Sequence, residues 1–286
     1  MLQKLPQDNA IMAQVRRVLG DEADSLDTPE ALKHTRAVQL CLLIAGVAYA
    51  QELERHGIQP DMVSGLSIGA FPAAVVAGTL NFDDALRLVA LRGDLMEQAY
   101  PQGYGLTAIT GLQLSQVERL VEGSGTYIAN INAEQQIVIA GRDEDMDNVA
   151  QRALAAGAQK AKQLAVSVPS HCELLRDPAL KLQQAFADVT LARPRCTYLS
   201  GSTARVIWQP EQIADDLALN MSRTVRWRDA MVAANERDVR LAIEMPPGSV
   251  LTGLTRQAFR EGDMLCAEQN SAALIKRLAD RVKEAR

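Results

Sequence analysis

The chain has 286 residues, 48% of them apolar and 23% charged, which suits one elaborated soluble domain or two unequal ones. Its formal net charge of −5 excludes the basic footprint of a nucleic-acid binder. Its three histidines and four unpaired-looking cysteines (Cys41, Cys172, Cys196, Cys266) form no zinc pattern, so no metal is expected.

The N-terminal stretch MLQKLPQDNAIMAQVRR has no apolar core behind its charges and is not a signal peptide. With no secretory segment, the cysteines are expected to be reduced thiols in a cytoplasmic protein. Helical spacing runs over about residues 9–19 and strongly over 37–56, with Gly57 as the stop. Within it, 38–49 is the most apolar run, about twelve residues. That is short of the ~20 that span a bilayer, so a buried core helix is expected and no membrane contact. Residues 62–66 read as a buried strand end, 68–77 as a helix and 83–99 as another, the strand–turn–helix unit of a parallel α/β sheet. From 104 to 168 the pattern changes to strand 106–109, helix 115–122, strands 126–131 and 136–140, helix 143–156 and strand 162–166. This βαββαβ order is ferredoxin-like and marks a small inserted subdomain. Beyond it come a helix over 172–188, strands near 197–200 and 239–244, and a closing helix over 272–282.

The strongest local signal is Gly65-Leu66-Ser67-Ile68-Gly69, a G-x-S-x-G placed between a strand and a helix. Such a turn exposes the serine hydroxyl at a helix N-terminus, where backbone N–H groups can hold a developing oxyanion. A serine nucleophile needs a base. His34 lies in a polar segment and His56 ends a helix, both structural or surface positions. His171, in Val168-Pro169-Ser170-His171-Cys172, sits at a strand-to-helix corner just after the inserted subdomain, and is the candidate base. Cys172 reads as packing, since a cysteine nucleophile needs a setting that lowers its pKa. No G-x-G-x-x-G or P-loop stands in strand–turn–helix context.

Over nearly its whole length the sequence resembles the malonyl-CoA:acyl-carrier-protein transacylases. The motifs that carry the resemblance, in order, are GLSIGAFPAAVVAG (65–78), ALRLVALRGDLMEQA (85–99), NINAEQQIVIAG (130–141), VSVPSHCELL (166–175) and PPGSVLTGLTR (246–256). The resemblance implies an α/β-hydrolase-like large subdomain with a parallel sheet (residues 1–103 and 169–286), an inserted ferredoxin-like small subdomain (104–168), and a site in the cleft between them. It implies Ser67 as the acyl-accepting nucleophile, His171 as its base and Ile68 N–H as an oxyanion donor. Arg92 matches the arginine that pairs with the malonyl carboxylate; a planar guanidinium can hold a carboxylate through two parallel hydrogen bonds. A main-chain carbonyl orients the imidazole in this family, and the matching stretch is 220–227, with Asn220 where glutamine is common. Asn130 and Asn132 match a segment lining the cleft. The substrate implied is malonyl-CoA. No cofactor is bound, and the partner is an acyl carrier protein with a phosphopantetheine-type group. Arg223, Arg226 and Arg228 are candidates for docking it.

Three departures matter. Leu66 stands where fatty-acid-synthesis members usually carry histidine, and Met245-Pro246-Pro247-Gly248 where they usually read Val-Gly-Pro-Gly. Both look more like the epsilon (acyltransferase) subunit of malonate decarboxylase, which implies that system's carrier as acceptor; malonyl transfer for fatty-acid or polyketide synthesis is the alternative. The P-G-Q-G segment with which members open is not present, so about fifteen to twenty preceding residues, and one oxyanion donor, are expected to be missing. Two further readings stay open: a serine thioesterase or esterase using Ser67 and His171, and a non-catalytic subunit kept for assembly. Intact Ser67, His171 and Arg92 speak against the second.

Overall fold

Apolar residues at helical spacing build the N-terminal third. The computed structural model describes residues 1–6 and 10–285. Helix α1 spans Ile11–Leu19 and α2 spans Thr35–Arg55; the expected start of the first helix, Asn9, lies outside the described residues. Strand β1 (Met62–Gly65) leads through a 3-10 turn (Ser67–Gly69) into α3 (Ala70–Val76), and α4 follows as Phe82–Ala99. The Asn81 side chain caps α4 by accepting the Asp84 N–H at 2.8 Å. Helices α3 and α4 pack on α2. The approach of α4 is close enough that a Cβ on Gly93 would lie 2.4 Å from the Arg36 Cα. Helix α2 is long and apolar enough to cross a membrane by length and composition, and 61% of its apolar window is buried inside the protein. The longer helix absorbs the expected core segment 38–49.

The middle third is a separate antiparallel sheet. Its elements are β2 (Tyr104–Thr110), α5 (Leu114–Val121), β3 (Tyr127–Ala133), β4 (Gln136–Arg142), α6 (Asp143–Ala155) and β5 (Lys160–Gln163). The strand order is β3-β4-β2-β5, with every pair antiparallel. Ile109, Val117, Ile131, Ile137, Ile139, Met146 and Val149 fill the space between this sheet and its two helices. The last strand lies two residues earlier than the expected 162–166. It pairs Lys160 to Gln163 with Thr110 to Thr107, and as an edge strand it carries exposed lysines. The apolar run 164–166 that suggested a strand is loop, with Val166 exposed.

The final third returns to helix–strand alternation. A 3-10 turn (Glu173–Leu175) precedes α7 (Arg176–Ala185), so the expected helix over 172–188 is three short pieces, the last a 3-10 turn at Phe186–Asp188. Then come β6 (Thr197–Ser200), β7 (Val206–Ile207), α8 (Pro210–Leu219), a 3-10 turn (Asn220–Ser222), α9 (Trp227–Glu236), β8 (Leu241–Glu244), α10 (Val250–Ala258), β9 (Asp263–Cys266) and α11 (Ala272–Glu284). Strand β1 pairs parallel to β6, and β8 parallel to β9. Among the described residues, β1 and β8 each carry a ladder on one side only. The antiparallel sheet is tied to this layer by Val225, which donates to Ala129 O and accepts from Ile131 N–H, both at 2.8 Å.

Candidate active site

The turn after β1 forces the chain through a conformation that side chains rarely adopt. Ser67 has φ 56°. At Gly65 a Cβ would stand 2.0 Å from the Gly69 carbonyl carbon, so no other residue fits there. The serine opens the 3-10 turn, followed by Ile68, whose N–H falls among the first N–H groups of a helix that have no partner within it. Leu66 precedes it in extended conformation, packed with the β1–α9 hydrophobic cluster.

Arg92 comes from the middle of α4 and is fully buried, at 0% exposure. Its Nη2 donates to Ser67 Oγ at 3.1 Å and to Asn220 Oδ1 at 2.8 Å, and Nη1 donates to Gln39 Oε1 at 2.8 Å. Its Nε is buried with no partner among the described residues, and its Cζ lies 5.8 Å from the Phe71 ring centre. Burial pushes the guanidinium pKa down to about 9.

Asn220 is the hub. Its Nδ2 donates to the Ser67 carbonyl at 3.2 Å, its Oδ1 accepts from Arg92, and its main-chain carbonyl lies 2.9 Å from His171 Nδ1. A carbonyl can only accept, so Nδ1 carries the proton and Nε2 is left with its lone pair. His171 itself has φ 65°, and its N–H donates to Met221 O at 2.7 Å. Burial drives its pKa down to about 4; the main-chain partners at Asn220 and Arg223 oppose that shift and the Arg92 charge adds to it. Among the described residues the Ser67 hydroxyl is held by Arg92, with no hydrogen bond to His171. Catalytic hydrogen bonds of this kind commonly tighten only when substrate binds.

Ser67, Arg92, His171 and Asn220 are thus gathered around one point. Asn132 is not joined to them by a hydrogen bond: its Oδ1 is buried with no partner among the described residues, and the residue lines a cavity of about 620 Å³ beside α9 and the C-terminal end of α10. Asn130 is buried at the Val225 bridge. Arg226 and Arg228 are exposed and both pair with Asp229, at 3.1 and 3.6 Å; Arg223 is exposed. Cys172 is buried, its Sγ on Pro169 O, with its thiol pKa pushed up to about 11 by burial, the setting of a packing residue. The neighbour of this cluster that sequence reading passed over is Gln39. Its signal was a lone amide at the start of the most apolar run of the chain.

A buried, neutral histidine, a serine on a strained turn and an arginine with no acidic partner among the described residues stand together here, groups whose chemistry suits acyl transfer. The comparisons with known proteins agree. The family model of the acyl transferase domain matches residues 11–284. The malonyl CoA-acyl carrier protein transacylase of Escherichia coli (strain K12) is 36% identical over 234 residues, 80% of this chain and 76% of that protein. The transacylase structure from Coxiella burnetii superposes with a TM-score of 0.91 at 29% identity, covering 99% of this chain and 93% of that one. A malonyl-transacylase solved in complex with a type II PKS acyl-carrier protein gives 0.87 at 32% identity, over 94% of this chain and 90% of that one. The chain belongs to the acyl transferase domain family, and within it to the malonyl-CoA:acyl-carrier-protein transacylases.

Proposed function

We propose that the protein moves a malonyl group from malonyl-CoA to the thiol of an acyl carrier protein through an ester on Ser67. The observation that carries this reading is the buried Arg92 guanidinium, 3.1 Å from the Ser67 hydroxyl and without a carboxylate partner among the described residues. His171 Nε2 takes the hydroxyl proton as Ser67 Oγ attacks the thioester carbon. The oxyanion that forms is met by the Ile68 N–H, and the carbon–sulfur bond then breaks, the CoA sulfur taking the proton back from His171. In the second half the carrier thiol gives its proton to His171 and its sulfur attacks the ester, and Ser67 leaves with the proton restored. Arg92 holds the malonyl carboxylate throughout. Asn220 positions all three groups. Asn132 and Leu66 serve as supporting contacts, and no resident cofactor takes part. Residues 104–168 form the small subdomain, and 1–103 with 169–286 the large one.

The relatives favour an acyl carrier protein of fatty-acid or polyketide synthesis as acceptor. Leu66 and Met245-Pro246-Pro247-Gly248 favour the second reading, the carrier of malonate decarboxylase. The test is discharge. Ser67 is loaded with labelled malonyl, the excess is removed, and a carrier protein with its phosphopantetheine arm is added. Transfer of label to the carrier thiol faster than release of free malonate supports transfer. Release at the same rate with and without carrier would identify a hydrolase. Running a fatty-acid carrier beside a malonate decarboxylase carrier decides between the two acceptors.

A further inference from the structure

Arg92 is a buried cation whose hydrogen-bond partners among the described residues are all neutral. Gln39, Asn220 and Ser67 supply oxygens at 2.8, 2.8 and 3.1 Å, and Nε has none among the described residues. Burial lowers its pKa, and among the described residues no acidic group acts on it. Buried arginines are ordinarily paired with a carboxylate, because a charge taken out of water needs an opposite charge to offset the loss. Here the requirement is left open.

Gln39 is the residue that keeps it open from the α2 side. It is 6% exposed. Its Oε1 accepts from Arg92 Nη1, and its Nε2 donates to Met96 Sδ at 3.3 Å. Arg92 and Met96 are four residues apart on α4 and share a face, so the amide straddles one turn. The reverse amide orientation would aim N–H groups at a cation, so the guanidinium itself fixes which way Gln39 points. Glutamate has nearly the same shape and would fit the same place. It would orient Arg92 equally well, but it would also neutralise it.

We propose that Gln39 is a specificity-determining residue of the acyl-transfer site, a neutral amide that fixes the Arg92 guanidinium while leaving its charge for the carboxylate of the incoming acyl group. This rests on the reading of Arg92 as the carboxylate partner. Specificity for a charged acyl group therefore depends on an amide that never touches the scissile bond. The same scaffold with a carboxylate at position 39 accepts uncharged acyl groups instead.

The experiment compares initial rates of covalent loading from malonyl-CoA and from acetyl-CoA, read by intact mass, in the full chain and in Gln39→Glu, Gln39→Met and Arg92→Ala. In Gln39→Glu malonyl loading falls by about tenfold to a hundredfold, the range lost with one charged hydrogen bond, while acetyl loading is kept or rises. A merely structural lesion would lower both together. Gln39→Met keeps the volume and the neutrality but lacks the acceptor, and raises the malonyl-CoA KM severalfold with acetyl loading unmoved. Arg92→Ala loses the malonyl preference altogether. Malonyl preference intact in Gln39→Glu but lost in Arg92→Ala overturns the role of Gln39 and leaves that of Arg92 standing. Preference intact in Arg92→Ala overturns both. Should Gln39→Glu fail to fold, Gln39→Met decides, and an unchanged malonyl-CoA KM overturns the proposal.

Discussion

Ser67 and His171 both sit at positive φ, 56° and 65°. Such backbone costs of order 1–3 kcal/mol per residue and persists where the surroundings over-determine it. At His171 those surroundings are the Met221 and Asn220 carbonyls, which fix its N–H and its ring. Burial then holds the imidazole neutral down to about pH 4. The acid limb of kcat/KM for malonyl loading is therefore expected near pH 4–5, with a flat profile from pH 6 to 8; a limb near 6.5 would contradict the burial. For stability the sign follows from the lowered pKa. The unfolded chain binds the proton at about 6.5 and the folded chain only near 4. The contribution is thus fully present above pH 6.5 and is lost as pH falls from 6.5 to 4. His171→Gln should flatten that part of a melting-temperature profile against pH. Ser67, His171 and Arg92 were within reach of the sequence reading, the first by its G-x-S-x-G turn, the second by elimination and the third through the family resemblance, and the structure brings the three together around Asn220. Gln39 was not, because it acts through α2–α4 packing, which no local pattern encodes.

At the level of elements, the helix that carries Arg92 is set by its cap and by its closeness to α2. Replacing Asn81 with Ala removes the acceptor for the Asp84 N–H and should cost about 1 kcal/mol. The melting temperature should drop while the malonyl-to-acetyl ratio is unchanged. A shifted ratio would mean that α4 has moved. Gly65→Ala is the severe case. Its Cβ would meet backbone atoms of Gly69 and Ala70 at 2.0–2.1 Å, so the expected outcome is loss of loading together with a lowered or absent cooperative melt. The long periodic elements, α2 and α4, were readable within two residues. The edge strand β5 was misplaced because Leu164, Ala165 and Val166 look more strand-like than the lysines that do pair with β2. The two-residue β7 and the four-residue β9 pass below any periodic signal.

Across the whole molecule, a buried polar network fastens the helical layer to the sheet just upstream of the site. Asp216 on α8 accepts from Tyr198 Oη at 2.8 Å and from Ser200 Oγ at 2.7 Å, one turn before Asn220. Asp216→Ala strands both hydroxyls and should cost about 3 kcal/mol, measurable in urea unfolding; an unchanged midpoint would mean that the network contributes nothing. The class of fold was legible because strand–turn–helix and βαββαβ segments follow one another in the chain. The pairing of β1 with β6, more than 130 residues apart in sequence, was not, since register across such a distance is set by tertiary packing. The most direct test of the central reading is the mass of the intact chain after mixing with malonyl-CoA. A gain of about 86 Da, the acyl group of an ester on the nucleophile, is expected in the native chain and absent from Ser67→Ala. The same gain in Ser67→Ala, or none in the native chain while CoA stays acylated, would contradict it.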